Sequence, residues 1–87
     1  MNRVLIIEDE TATAEAVKEA LALDDISADI ASDGESGLEK LKSNNYDLIL
    51  LDLKMPGLSG DEVLSEIRKQ DPFIDVIIYT NYTEFAD

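Results

Sequence analysis

Four short apolar runs divide the chain: Val4 to Ile7, Ile26 to Ile30, Leu48 to Leu51 and Val76 to Tyr79, each bounded by acidic or turn residues. Runs of this length, rich in Ile, Val and Leu, predict four β-strands. The first, third and fourth are continuously apolar, which predicts strands covered on both faces. In the second, Ile26, Ala28 and Ile30 alternate with Ser27 and Asp29, as a half-exposed edge strand does.

The segments between these runs carry helical spacing. Ala14, Val17 and Leu21 fall at i, i+3 and i+7, Leu38 and Leu41 at i and i+3, and Val63, Leu64 and Ile67 at i, i+1 and i+4. Ser32-x-x-Glu35 and Ser59-x-x-Glu62 both match a capping box, in which each side chain bonds a free backbone N–H of the first turn. Asp71-Pro72 closes the third helix, because the residue before a proline is pushed out of the helical region. The order is βαβαβαβ, and 83–87 could begin a fourth helix. Alternating strands and helices predict a parallel sheet with helices on both faces and right-handed crossovers. With no linker or repeat, residues 1–87 read as a single domain.

Charge changes the picture most. The 87 residues include 20 Asp plus Glu against 7 Lys plus Arg, a net charge of −13. Such a surface repels phosphate backbones and anionic lipid, so no direct nucleic-acid or membrane binding is expected. The chain has neither Cys nor His, which excludes Cys/His zinc sites, thiol chemistry and a Ser-His-Asp triad. The metal ligands left are oxygens, suited to hard cations such as Mg²⁺ or Ca²⁺. Residues 1–7 are too short for a signal-peptide core or a membrane span, so the expected compartment is the cytoplasm. At 45% hydrophobic residues, a packed core fits better than a disordered acidic tail.

In an open parallel sheet, ligands collect beyond the carboxyl ends of the strands. Strand one runs into Glu8-Asp9-Glu10 and strand three into Asp52, so three or four carboxylates converge if those strands are neighbours. Their repulsion calls for a cation between them. Acidic residues after a strand are commonly solvated, and for Glu10 the simpler role, favouring the positive end of the first helix, is preferred. For Asp52 that role is weaker, because the residue sits at the mouth of the core directly after Leu48-Ile49-Leu50-Leu51. An EF-hand starting at Asp52 fails, since Lys54, Pro56 and Val63 fall where oxygen ligands are required. Gly34-x-x-Gly37 lacks the spacing of a phosphate loop and reads as turn and helix-start chemistry.

Taken together, Val4-Leu5-Ile6-Ile7-Glu8-Asp9-Glu10, then Leu50-Leu51-Asp52-Leu53-Lys54-Met55-Pro56-Gly57 with Gly60, then Val76-Ile77-Ile78-Tyr79-Thr80, resemble the receiver domain of two-component response regulators, the CheY-like family. The resemblance implies a flavodoxin-like, doubly wound sheet ordered 2-1-3-4, with three helices and the start of a fourth. It implies that Asp52 is the phosphoacceptor, taking a phosphoryl group from the phosphohistidine of a sensor histidine kinase or phosphotransfer protein. Asp9 and Asp52 would bind Mg²⁺ with the backbone carbonyl of Lys54, and Glu8 would act mainly through a bound water. Thr80 would donate its hydroxyl to a phosphoryl oxygen and report phosphorylation, and Lys54 would sit at the rim of the site. Met55-Pro56-Gly57 would shape that rim as scaffold, Pro fixing φ and Gly allowing a positive one.

The family's domain runs to roughly 120 residues in five βα units, within the usual domain range. Measured against it, the chain reads as truncated before strand five and the Lys that pairs with the phosphoryl group there. Two expectations follow: phosphotransfer weakened by loss of a charge-assisted contact, and a homodimer or higher oligomer through the strand-four edge or the uncovered sheet face. The first reading is therefore a phosphoacceptor module, not an enzyme beyond Mg²⁺-dependent self-phosphorylation and self-dephosphorylation. The alternative is a phosphorylation-independent assembly module on the same scaffold. A metal-dependent hydrolase ranks last, since no separate acid/base or substrate pocket is found.

Overall fold

The computed structural model describes residues 2–79. Four parallel strands, β1 (Arg3–Ile7), β2 (Ser27–Ala31), β3 (Leu48–Asp52) and β4 (Asp75–Tyr79), form one sheet in the order β2-β1-β3-β4. Three helices connect them: α1 (Thr11–Ala22), α2 (Gly34–Ser43) and α3 (Gly60–Gln70). All four strands and all three helices lie where the apolar pattern puts them. The fourth-helix start at 83–87 lies outside the described residues.

Alternation along β1 divides the core in two. Val4 and Ile6 pack with Ala14 of α1 and Ala28 of β2, while Leu5 and Ile7 pack with Ile49, Leu51, Val63 and Ile67 on the side of α2 and α3. Because side chains alternate between faces, a strand sandwiched this way must be apolar at every position. β1 from Val4 to Ile7 and β3 from Leu48 to Leu51 satisfy that. β4 does not: it is the outer strand among the described residues, and Ile77 and Ile78 are exposed. Its apolar run, read as covered on both faces, is therefore covered only in part. β2 lies at the other edge, as its alternation requires, with Ala28 turned to the α1 side and Ala31 to the other.

Local signals explain most element boundaries. At α3, Ser59 Oγ accepts from the Glu62 N–H and Glu62 Oε1 accepts from the Ser59 N–H, completing the capping box. The helix stops before Asp71-Pro72, where Asp71 Oδ1 turns back to the N–H groups of Phe73 and Ile74. At α2 the cap is Asp33 rather than Ser32, with Asp33 Oδ1 accepting the Ser36 N–H at 2.7 Å. Both residues are good caps, and tertiary packing selects the second. This phase brings the buried Gly34 and Gly37 onto the face of α2 that meets α3 and β1. A Cβ on Gly34 would lie 2.4 Å from Val63 Cγ2, and one on Gly37 would lie 2.6 Å from Ile7 Cδ1. These glycines therefore serve close packing of the helix, beyond the turn chemistry the sequence suggested.

Toward the amino ends of β1 and β3, polar side chains form a closed network. Tyr46 Oη donates to Asp29 Oδ2 at 2.6 Å, and the Arg3 guanidinium donates to Asp29 and Asn44 while lying over the Tyr46 ring. The Tyr46 hydrogen bond, then the Arg3 contact, hold the Asp29 carboxyl below its usual range. Burial, then the Asp29 carboxylate, push the Tyr46 phenol up to about 12.

Replacing Tyr46 by Phe is expected to cost about 1 kcal/mol at pH 7, because it removes one partly exposed hydrogen bond to a carboxylate. The folded-state phenol titrates above its usual 10.0, so this contribution is complete below pH 10 and is lost as pH rises through about 12. Denaturant melts across that window should show the gap between parent and Tyr46→Phe closing; a gap constant from pH 7 to 12 would contradict the assignment.

Candidate functional site

The site follows from strand order. From β1 the chain crosses by α1 to β2 on one side, then returns by α2 to β3 on the other, so a crevice opens beyond the carboxyl ends of β1 and β3. Register does the rest. Ile7 pairs with Leu51, which brings the next residues, Glu8 and Asp52, to the same height on adjacent strands. Asp52 is the last residue of β3 itself, not the first of a loop. Glu8 and Asp52 are each 1% exposed, and Asp9 is exposed.

The three carboxylates each place one oxygen within 4.8 Å of the others. Three like charges at this spacing, two of them buried, repel one another strongly in a medium far less polar than water. Protein donors offset part of the charge. Glu8 Oε2 accepts the Glu10 N–H at 3.0 Å, Glu8 Oε1 accepts the Tyr79 hydroxyl at 2.6 Å, and Asp52 Oδ1 accepts the Lys54 N–H at 3.1 Å. The donor set is all oxygen and anionic, and its oxygens are close enough to share one ion, which fits a hard divalent cation such as Mg²⁺.

Of the residues singled out in the sequence, the fold brings together Glu8, Asp9 and Asp52, with the Lys54 backbone beside Asp52. Thr80 lies outside the described residues. Glu10 is the N-cap residue of α1 and accepts from the Thr13 hydroxyl, in keeping with its helix-terminal role. The rim turn after Asp52 is as expected, with Gly57 at φ +83°. Gly60 allows that loop to fold back: a Cβ there would lie 2.9 Å from Leu53 Cα, so the backbone itself would have to yield.

Tyr79 was not among the candidates. It ends β4 in register with Asp52, and its phenol crosses to Glu8, the residue after β1, 71 residues away in sequence. Burial, and then the Glu8 carboxylate, push this phenol well above its usual value, so it remains a donor at any ordinary pH. The signal available was a polar-tipped aromatic ending an otherwise apolar strand, but only register identifies its partner.

In divalent-free buffer, Asp52→Asn removes one of the clustered charges and keeps an oxygen for the Lys54 N–H. It is expected to melt at or above the parent, by on the order of 1 kcal/mol, and added Mg²⁺ should narrow the difference by stabilising the parent. A variant less stable than the parent without Mg²⁺ would show that repulsion does not govern the pocket.

Comparison with known proteins agrees with this geometry. The response regulator receiver domain family matches residues 4–87. The chain is 40% identical over 87 residues to the response regulator ArlR of Staphylococcus haemolyticus, covering all of this chain and 39% of ArlR. It is 39% identical over 85 residues to the transcriptional regulatory protein DltR of Streptococcus agalactiae, covering 98% and 38% of the two chains. The chain thus spans about two-fifths of the length of these curated relatives. Among solved structures, the response regulator TrrA of Thermotoga maritima in complex with Mg²⁺-BeF superposes with a TM-score of 0.89 at 43% identity, over 95% of this chain and 72% of that one. A chain in the complex of histidine kinase ThkA with TrrA gives a TM-score of 0.88 at 41% identity, over 100% and 75%. Strand order, crevice, acidic cluster and sequence agree, and the chain belongs to the response regulator receiver domain family of two-component systems.

Proposed function

We propose that this receiver accepts a phosphoryl group on Asp52 from the phosphohistidine of a sensor histidine kinase or phosphotransfer protein, with Mg²⁺ in the acidic pocket and in the cytoplasm. The observation that carries the reading is the convergence of Glu8, Asp9 and Asp52, with Asp52 buried at the end of a central strand. A carboxylate nucleophile needs a fixed direction of attack. The Lys54 N–H holds Asp52 Oδ1, leaving Oδ2 as the attacking oxygen. An O–P bond forms there as the P–N bond of the phosphohistidine breaks, and the ring, already protonated on its other nitrogen, leaves as neutral imidazole, giving an aspartyl phosphate.

Asp9, Asp52 and the Lys54 carbonyl would hold Mg²⁺, with Glu8 acting mainly through a bound water. The ion supplies positive charge against the oxygens of the transferring group. Thr80 follows Tyr79 directly, and its proposed role is to donate a hydroxyl to a phosphoryl oxygen. Two solved relatives, one in complex with Mg²⁺-BeF and one with a histidine kinase, support the same chemistry for this chain.

Incubation with Mg²⁺ and acetyl phosphate is expected to add one phosphoryl group to the parent and none to Asp52→Asn, read by intact-protein mass. No gain from a folded parent sample, or an equal gain in the variant, would overturn the assignment.

A second reading, assembly independent of phosphorylation, is favoured by β4, the outer strand among the described residues, where Ile77 and Ile78 are 53% and 42% exposed. An apolar edge strand invites pairing with a second copy. Light scattering at micromolar concentration should then report a dimer or larger species, whereas a monodisperse monomer would rule this reading out.

A further inference from the structure

Tyr79 stands apart from the carboxylates it serves. It comes from β4, two strands away from β1, and its phenol contacts one of the two buried carboxylates of the pocket. The 2.6 Å bond to Glu8 Oε1 has the length of a charge-assisted O–H···O⁻ contact, which is stronger than one between neutral groups. Glu8 is 1% exposed, so bulk water is poorly placed to replace a lost donor. With the Glu10 N–H on Oε2, both Glu8 oxygens already accept from the protein in the cation-free pocket.

We infer that Tyr79 is a positioning residue that holds Glu8 in the cation-free pocket and opposes divalent-cation binding there. The phenol dipole and an incoming dication draw on the same negative charge. Whichever arrives first lowers what the other gains, and this coupling is reciprocal. Removing the hydroxyl leaves a buried carboxylate short of one donor, which raises the free energy of the cation-free state more than that of the bound state. A phenol that instead pre-orients Glu8 for the ion would have the opposite effect. The inference rests on reading Glu8, Asp9 and Asp52 as a divalent-cation site.

The test compares the parent with Tyr79→Phe, which keeps the ring and removes the hydroxyl. Mg²⁺ alone is titrated into each by calorimetry, and each is melted with and without Mg²⁺. The variant is expected to melt lower without Mg²⁺ and to bind Mg²⁺ tighter, on the order of three- to tenfold, the equivalent of one modest hydrogen bond. A purely structural role predicts the first change without the second. Unchanged or weaker Mg²⁺ binding in the folded variant overturns the inference and leaves the cation site standing. No saturable Mg²⁺ binding in either protein overturns both. Should the variant fail to fold, the parent decides: its downfield Tyr79 hydroxyl proton should move upfield as Mg²⁺ saturates, and a resonance that stays put through saturation overturns the inference.

Discussion

Two carboxylates, Glu8 and Asp52, are buried side by side where the central strands β1 and β3 end, and most of the molecule serves to hold them there. Like charges in such a place push the strand ends apart. The resisting force is the sheet behind them. β1 is hydrogen-bonded on both sides and apolar on both faces, so its end cannot swing away without exposing Leu5, Ile6 and Ile7 to water. The repulsion is thereby stored rather than relaxed.

The opposite end of the sheet has the reverse electrostatics. There Arg3, Asp29, Tyr46 and Asn44 satisfy one another, and the Arg3 N–H also donates to Asp47. Attraction at the amino ends and repulsion at the carboxyl ends divide the labour between stability and chemistry. The glycines link the two: Gly34 and Gly37 let α2 lie against Val63 and Ile7, and Gly60 lets the loop after Asp52 close on Leu53. Tyr79 adds a side-chain tie from β4 across β3 to β1, so the strand preceding Thr80 is bonded to the pocket through Glu8.

Much of this was legible in the letters. Periodicity located every strand and helix among the described residues, because a sheet covered on both faces forces continuous apolar runs and the helices show their 3.6-residue spacing. The acidic pair after the first strand and Asp52 after the third marked the pocket, because burying a charge at the end of an apolar strand is costly without a purpose. Resemblance supplied the strand order, which periodicity leaves open.

Three things were decided only in three dimensions. The cap of α2 moved from Ser32 to Asp33 because helix phase is fixed by what Gly34 and Gly37 must approach, and local hydrogen bonding favours both caps equally. The exposure of β4 depends on which strand lies beside it, a property of the sheet and not of Val76-Ile77-Ile78-Tyr79. The bond from Tyr79 to Glu8 joins residues that no local pattern relates, since only the parallel register of β1, β3 and β4 brings them together. The sequence by itself determined which groups carry charge and which segments must be buried, because those are properties of side chains. Tertiary structure decided which charges meet, because distance between chain-remote groups exists only once the sheet has closed its register.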